Sequence, residues 1–424
     1  MSQQNPETIM KSKFTQHLLP ALALGVGLVT AGTAAAGIDG IEGPTFDLNA
    51  GEAYITTGDS NVVYMWGYGG DPRVMTWGNI QYPGPTLLVD QGDTVTINLS
   101  NNLPVTTSIH FPGQQMTAVP ADLGDLTGEV APGGTGTYSF VASEPGTFIY
   151  HSGTNAELQT EMGLFGALIV RPPQAKQAYN HPSSTFVYEY LSVISEIDDK
   201  IHQKIEANPN ASIDFSTYKP VYWFVNGRVW PDSASPAFHP LWPYQPYQAV
   251  PRTHPGEPML MRLVSGSRDA HPWHTHGNDV QIIARDGRLL ESTPGAGADL
   301  AYFDYTVQVH PGATYDTIGR WSFDIDELNW DIYGAIPFRH ADDGRVLPTT
   351  LPELQELGLG GFYSGSPFLG AQEALPPGEG GLNPTGAFMF MWHSHHEVEQ
   401  VNNDIFPGGL TTILLVEHPD TPIE

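Results

Sequence analysis

The sequence predicts an all-β chain made of two similar β-sandwich domains, and three observations lead there. Short runs of β-forming residues alternate with turns drawn from 46 glycines and 37 prolines, the punctuation of a sandwich rather than of a helical protein. One early segment, Gly146-Thr147-Phe148-Ile149-Tyr150-His151-Ser152, is echoed late by Gly386-Ala387-Phe388-Met389-Phe390-Met391-Trp392-His393-Ser394. Each copy is followed by a glycine-containing turn and an apolar strand, residues 167–170 and 411–416, so two copies of one sandwich are the simplest account. The length left after an export signal, about 388 residues, exceeds one small sandwich and suits two domains with insertions.

Residues 1–36 read as a signal peptide: Lys11 and Lys13 precede the apolar run Leu18 to Val29, and Ala34-Ala35-Ala36 offers a small-residue cleavage site. Maturation near Gly37 and a periplasmic or secreted location are expected. The first sandwich is assigned to residues 37–173. In it Val95, Ile97 and Leu99 share one strand face beyond the Gly92-Asp93 turn, and a further strand carries His110. Residues 174–217 are more polar, with a helix expected around Ile194 to Ala207, and are read as a linker. The second sandwich is assigned to residues 218–424. Within it, residues 335–386 are rich in glycine and proline without strong periodicity, the composition of a long insertion.

Composition narrows the partners. Acidic residues outnumber basic ones 46 to 17, a net charge of -29, which opposes nucleic acid and anionic membrane surfaces and is tolerated in saline media that screen repulsion. No segment after the signal approaches the roughly 20 continuous apolar residues of a membrane helix. Cysteine is absent. That removes disulfides, thiol nucleophiles and any cysteine-ligated metal site.

The chemistry concentrates in two histidine clusters, His271-Pro272-Trp273-His274-Thr275-His276-Gly277 and His393-Ser394-His395-His396. On a strand, residues i and i+2 point the same way with Cα atoms roughly 6.5 Å apart. That spacing suits two neighbouring metal ions better than one. Imidazole alone does not choose among copper, zinc, iron and nickel.

Together with Tyr82-Pro83-Gly84-Pro85, Gly92-Asp93, Ala131-Pro132-Gly133-Gly134 and Tyr150-His151-Ser152, these motifs resemble the multicopper oxidases and their two-domain relatives, including copper nitrite reductases. The resemblance implies two cupredoxin-like Greek-key sandwiches with about two to three copper ions at their interface. It implies metal ligands at His110, His151, His274, His276, His393 and His395: His110 with His274 on one copper, His151 with His395 on a second, His276 with His393 on a third. It also implies a homotrimer, each site closing between the first domain of one chain and the second domain of the next; the polar 174–217 segment and the long insertion leave closure within one chain as an alternative.

The departures from that family are equally informative. The partners of His110 and His151 are replaced by Pro112 and Gly153, so six of the family's eight cluster histidines remain. Glu157, Glu161, Asp279, Glu397 and Glu399 are the nearby carboxylates that can replace the missing nitrogens. Ser394 stands in the place of the blue-copper cysteine, Glu399 in that of its second histidine, and Ser152 where nitrite reductases carry a cysteine. His271 is then a supporting or structural histidine. The relay from substrate through blue copper to the cluster is absent. Three functions follow as expectations: a copper oxidoreductase acting on a small molecule that reaches the cluster directly; a non-catalytic protein that takes copper from a donor and sequesters, delivers or scaffolds it; and, more remotely, a zinc or mixed-metal hydrolase.

Overall fold

The computed structural model describes residues 37–119, 124–254, 256–276, 279–320, 388–417 and 421–423. The expected signal peptide, the long 335–386 insertion and Gly277 lie outside the described residues. In the first sandwich, Thr94–Asn101 alternates exposed or half-buried residues with buried Val95, Ile97, Leu99 and Asn101, the period of a strand with one face on a core. It runs parallel to Thr45–Thr56 and antiparallel to Thr135–Val141, in a five-stranded sheet completed by Val62–Gly69 and Thr117–Val119. The opposing sheet contains Ile41–Glu42, Leu87–Asp90, Phe165–Arg171 and Gly146–His151. Phe46, Leu48, Trp66, Ile97, Tyr138 and Leu168 belong to the core between them.

The second sandwich repeats these pairings. Tyr188–Ile197 runs parallel to Pro258–Ser265, which pairs antiparallel with Thr314–Arg320. In the other sheet Phe388–Ser394 lies antiparallel to Thr411–Val416, as Gly146–His151 does to Phe165–Arg171. The sequence echo is therefore a repeat of topology. Met261, Leu263, Trp273, Val307, Phe390 and Trp392 belong to this second core.

The reading of 174–217 as a linker is corrected by the structure. Tyr188–Ile197 is almost wholly buried and lies between Tyr222–Val225 and Pro258–Ser265, so the second sandwich draws its first long strand from the supposed connector. The polarity that suggested a linker belongs to buried, paired groups: Glu189 accepts from both Arg171 and Arg262, as burial of a carboxylate requires. The helix does exist but begins later, at Asp199–Ala207, where the Asp198 carboxylate accepts the Lys200 N–H at 3.1 Å and caps the first turn.

The two sandwiches pack through Ile149, Phe165 and Ala167 of the first and Leu191, Val193 and Val264 of the second, which share one apolar cluster. Phe165–Arg171 is buried along nearly its whole length because its two faces serve different clusters, Leu168 and Val170 facing the first core and Phe165 and Ala167 the other domain. Close approach at the far end depends on glycine: a Cβ on Gly146 would lie 2.8 Å from the Cα of Gly287, itself at φ 70° in a tight turn.

Candidate metal centre

Strand alternation sorts the histidines of the second sandwich onto opposite faces. In His271–Thr275, residues 271, 273 and 275 are buried and 272 and 274 half-buried, with Trp273 in the core. His274 therefore stands on the outer face, in register with His393 and Thr306, and His276 and His395 follow the same alternation. The four imidazoles form one group. Ring centroids are 4.7 Å apart for His274 and His395, 4.7 Å for His276 and His393, and 5.0 Å for His274 and His276.

The rings are also oriented. His393 Nδ1–H donates to the Ser394 carbonyl at 2.6 Å, and His274 Nδ1 lies 2.8 Å from the Thr306 hydroxyl. Both contacts turn Nε2 toward the cluster, the arrangement by which metal-binding imidazoles are commonly held. His276 and His393 face each other Nε2 to Nε2 at 2.7 Å, so one proton is shared between them. Two imidazoles on one tetrahedral ion with metal–nitrogen bonds near 2.0 Å hold those atoms roughly 3.3 Å apart, a small opening that replaces the shared proton. Burial, aided by the neighbouring imidazoles and opposed by the Ser394 carbonyl, lowers His393 to about 4. Burial followed by His276 and His395 lowers His274. Neutral imidazole is the form a metal requires.

The first sandwich places a second, smaller group. His110 and His151 exchange backbone hydrogen bonds of 2.7 and 3.0 Å, and their ring centroids are 5.6 Å apart. They repeat the His274/His393 pairing. His151 Nδ1–H donates to the Ser152 carbonyl at 2.8 Å, leaving Nε2 available, and burial lowers both histidines. The buried Nδ1 of His110 has no hydrogen-bond partner among the described residues. A Cβ on Gly153 would lie 2.8 Å from Thr127 Cγ2 and 3.0 Å from Ser108 Oγ, so a histidine there would require these side chains to shift.

The structure does not bring all six ligands to one place within a chain. His151 lies on the face of its strand that carries Ile149, toward the sheet containing Leu191 and Val193. The four histidines of the second sandwich stand on the outer face of the opposite sheet, and packed sheets are about 10 Å apart. Accordingly, among the described residues no three His, Asp or Glu side chains form a ready-made metal site. Three of the carboxylates considered as substitutes are engaged elsewhere. Glu157 pairs with Arg268 at 2.5 Å, Glu161 accepts from Asp198 N–H and Tyr218, and Glu399 meets His271 and His396. Ser152 and Ser394 are fully buried in local hydrogen bonds.

His271 behaves oppositely to His274, three residues along. It is fully buried, its Nδ1–H donates to Glu399 Oε2 at 2.9 Å, and its Nε2 lies 3.1 Å from Glu196 Oε2. The second contact pairs charges without hydrogen-bond alignment. Burial pushes this imidazole down, but the two carboxylates outweigh it and raise it to about 9. Sequence reasoning missed Glu196 and Thr306. The alternation of Ser192, Ile194 and Glu196 with Leu191, Val193 and Ser195 was the signal for the first.

Two sandwiches of cupredoxin type carrying clustered, oriented imidazoles define the fold and its candidate metal centre. Residues 64–175, within the first sandwich, match the multicopper oxidase family model. The chain is 37% identical over 144 residues to Laccase-1 of Emericella nidulans, covering 32% of this chain and 23% of that protein. It is 24% identical over 372 residues to a copper resistance protein A homolog of Pseudomonas syringae pv. tomato, covering 80% of this chain and 59% of that one. The chain thus spans less than two thirds of the curated relatives it matches. The fold is shared with a blue copper oxidase from Nitrosomonas europaea, at TM-score 0.56 and 21% identity over 89% of this chain and 88% of that one. Among the described residues no helix is long and apolar enough to cross a membrane.

Proposed function

We propose that this exported chain binds copper through His110, His151, His274, His276, His393 and His395 and acts as a copper oxidoreductase on small molecules that reach the cluster directly. The observation that carries the reading is the outward-facing group of four imidazoles, two of them turned by Ser394 and Thr306 to present Nε2. Copper held there supplies one-electron chemistry and open coordination positions. The protein's own contribution is to orient the ligands and, by burial, to favour the neutral form of His110, His151, His274 and His393. With no cysteine and His271 clamped between carboxylates, nothing in the chain provides a blue-copper inlet, so electrons must come from a molecule at the cluster itself.

The face distribution supports completion of the site by a second copy, the first sandwich of one chain covering the second of the next. Head-to-tail contacts of that kind close into rings, and a homotrimer of periplasmic or secreted location is the proposed assembly. Exposed Tyr305 and Met391, whose carbonyls accept from Thr275 and His276, adjoin the histidines, an apolar surface of the sort that contacts cover. Bound-metal analysis, electron paramagnetic resonance and light scattering of copper-loaded protein at moderate salt test the reading. It expects about two to three coppers per chain on an oligomer; full occupancy on a monomer overturns the assembly, and zinc in preference to copper overturns the chemistry.

A second reading, sequestration or delivery of copper received from a donor, is favoured by one observation: the match to the copper resistance protein A homolog extends over 80% of the chain, far beyond the laccase match. Stoichiometric copper without dioxygen consumption on any small reductant selects it.

A further inference from the structure

The strand that offers His274 to solvent carries His271 on its inner face, and the groups around His271 join three separate segments. We propose that Glu399 and Glu196 are positioning residues of the metal centre, which act through His271 to fix the spacing of the two histidine-bearing segments. The proposal rests on the four outer-face histidines being the metal site.

The segments are held together by little else at this end. His271–Thr275 and Phe388–Ser394 share three registered pairs, from Trp273 with Ser394 to Thr275 with Trp392, and His395 adds one backbone bond to Pro272. Beyond that the chain turns away through Glu397–Gln400. Glu399 sits in that turn, 3% exposed, with Oε2 accepting from His271 at 2.9 Å and Oε1 3.0 Å from His396 Nδ1. It ties the segment after His395 to the start of the strand bearing His274.

Glu196 anchors the same imidazole from the opposite sheet. Its Oε1 accepts the backbone N–H groups of Arg268 and Asp269 at 3.0 and 2.7 Å, gripping the turn that leads into His271, while Oε2 contacts the ring. One imidazole thus bridges the back sheet, one ligand strand and the turn after the other. Three buried ionisable groups remain there only because they satisfy one another; removing one leaves the rest uncompensated. A contact that orients ligands without touching the metal typically changes affinity roughly 10- to 100-fold when lost.

The test compares wild type with Glu399→Ala, Glu399→Gln and Glu196→Gln, measuring Cu(II) affinity by competition titration together with the paramagnetic resonance spectrum of the bound metal. Glu399→Ala is expected to weaken Cu(II) roughly 10- to 100-fold and alter the spectrum. Glu399→Gln keeps an acceptor for His271 and is expected to recover most of both. If Glu399→Ala does not fold, Glu196→Gln decides, with weaker binding and an altered spectrum expected. Wild-type affinity and spectrum in the folded variants overturn the proposal while leaving the metal site intact. A wild type that binds no Cu(II) instead overturns the site reading on which it rests.

Discussion

Raising the pH through about 9 is expected to remove a specific contribution to stability. His271 is raised from 6.5 to about 9 by Glu196 and Glu399 against the opposing effect of burial. Because the folded value lies above the unfolded one, the contribution is fully present below 6.5 and is lost as pH rises through about 9. A shift of that size corresponds to about 3 kcal/mol. Glu399 is lowered by the same contact, burial opposing; its acid-side loss is this interaction seen from the other partner and adds nothing further. For roughly 390 residues, about 3 kcal/mol moves the unfolding temperature by about 4 °C. The assay is thermal unfolding of metal-free wild type and His271→Gln between about pH 6 and pH 10 in ~0.15 M salt, where general repulsion is screened and common to both. Wild type should lose about 4 °C more than the variant over the alkaline half of the range. Parallel curves would refute the assignment of a buried imidazolium to His271.

Other perturbations address the metal centre. His274→Ala or His395→Ala should lower copper occupancy far more than His310→Ala or His181→Ala, as measured by bound-metal analysis, because only the first two belong to the clustered rings; equal losses would indicate nonspecific binding. Copper-loaded protein should show no intense blue charge-transfer band in its absorption spectrum, since no thiolate exists to produce one. Bulky phenolic or dye substrates should give little turnover in oxygen-consumption assays, and rapid oxidation of them with stoichiometric copper would require an electron route that the account lacks.

The clustering of the histidines was legible before the structure. His-x-His pairs on β-type segments and the echoed segments around His151 and His393 are local patterns, and strand alternation converts them directly into shared faces. What was not legible depends on tertiary pairing. Tyr188–Ile197 reads as linker because Glu189, Ser192, Ser195 and Glu196 are polar; the partners that make burial of the two carboxylates tolerable, Arg171, Arg262 and His271, come from other strands. The same holds for the separation of His151 from the four second-sandwich histidines. Local spacing gives the face on which each side chain stands, but which sheet covers that face is decided by how Leu191, Val193, Ile149 and Phe165 pack.

Copper is proposed to bind where the first sandwich of one chain meets the second of another. Co-expressing His151→Ala chains with His395→Ala chains tests it most directly, because each variant is defective in a different half of the site. If sites close between chains, some interfaces in the mixed oligomer combine the intact first sandwich of one variant with the intact second sandwich of the other. Copper per chain then rises above that of either variant alone. If sites close within one chain, every site carries one defect and the mixture binds no more copper than the average of the two variants, which would contradict the account.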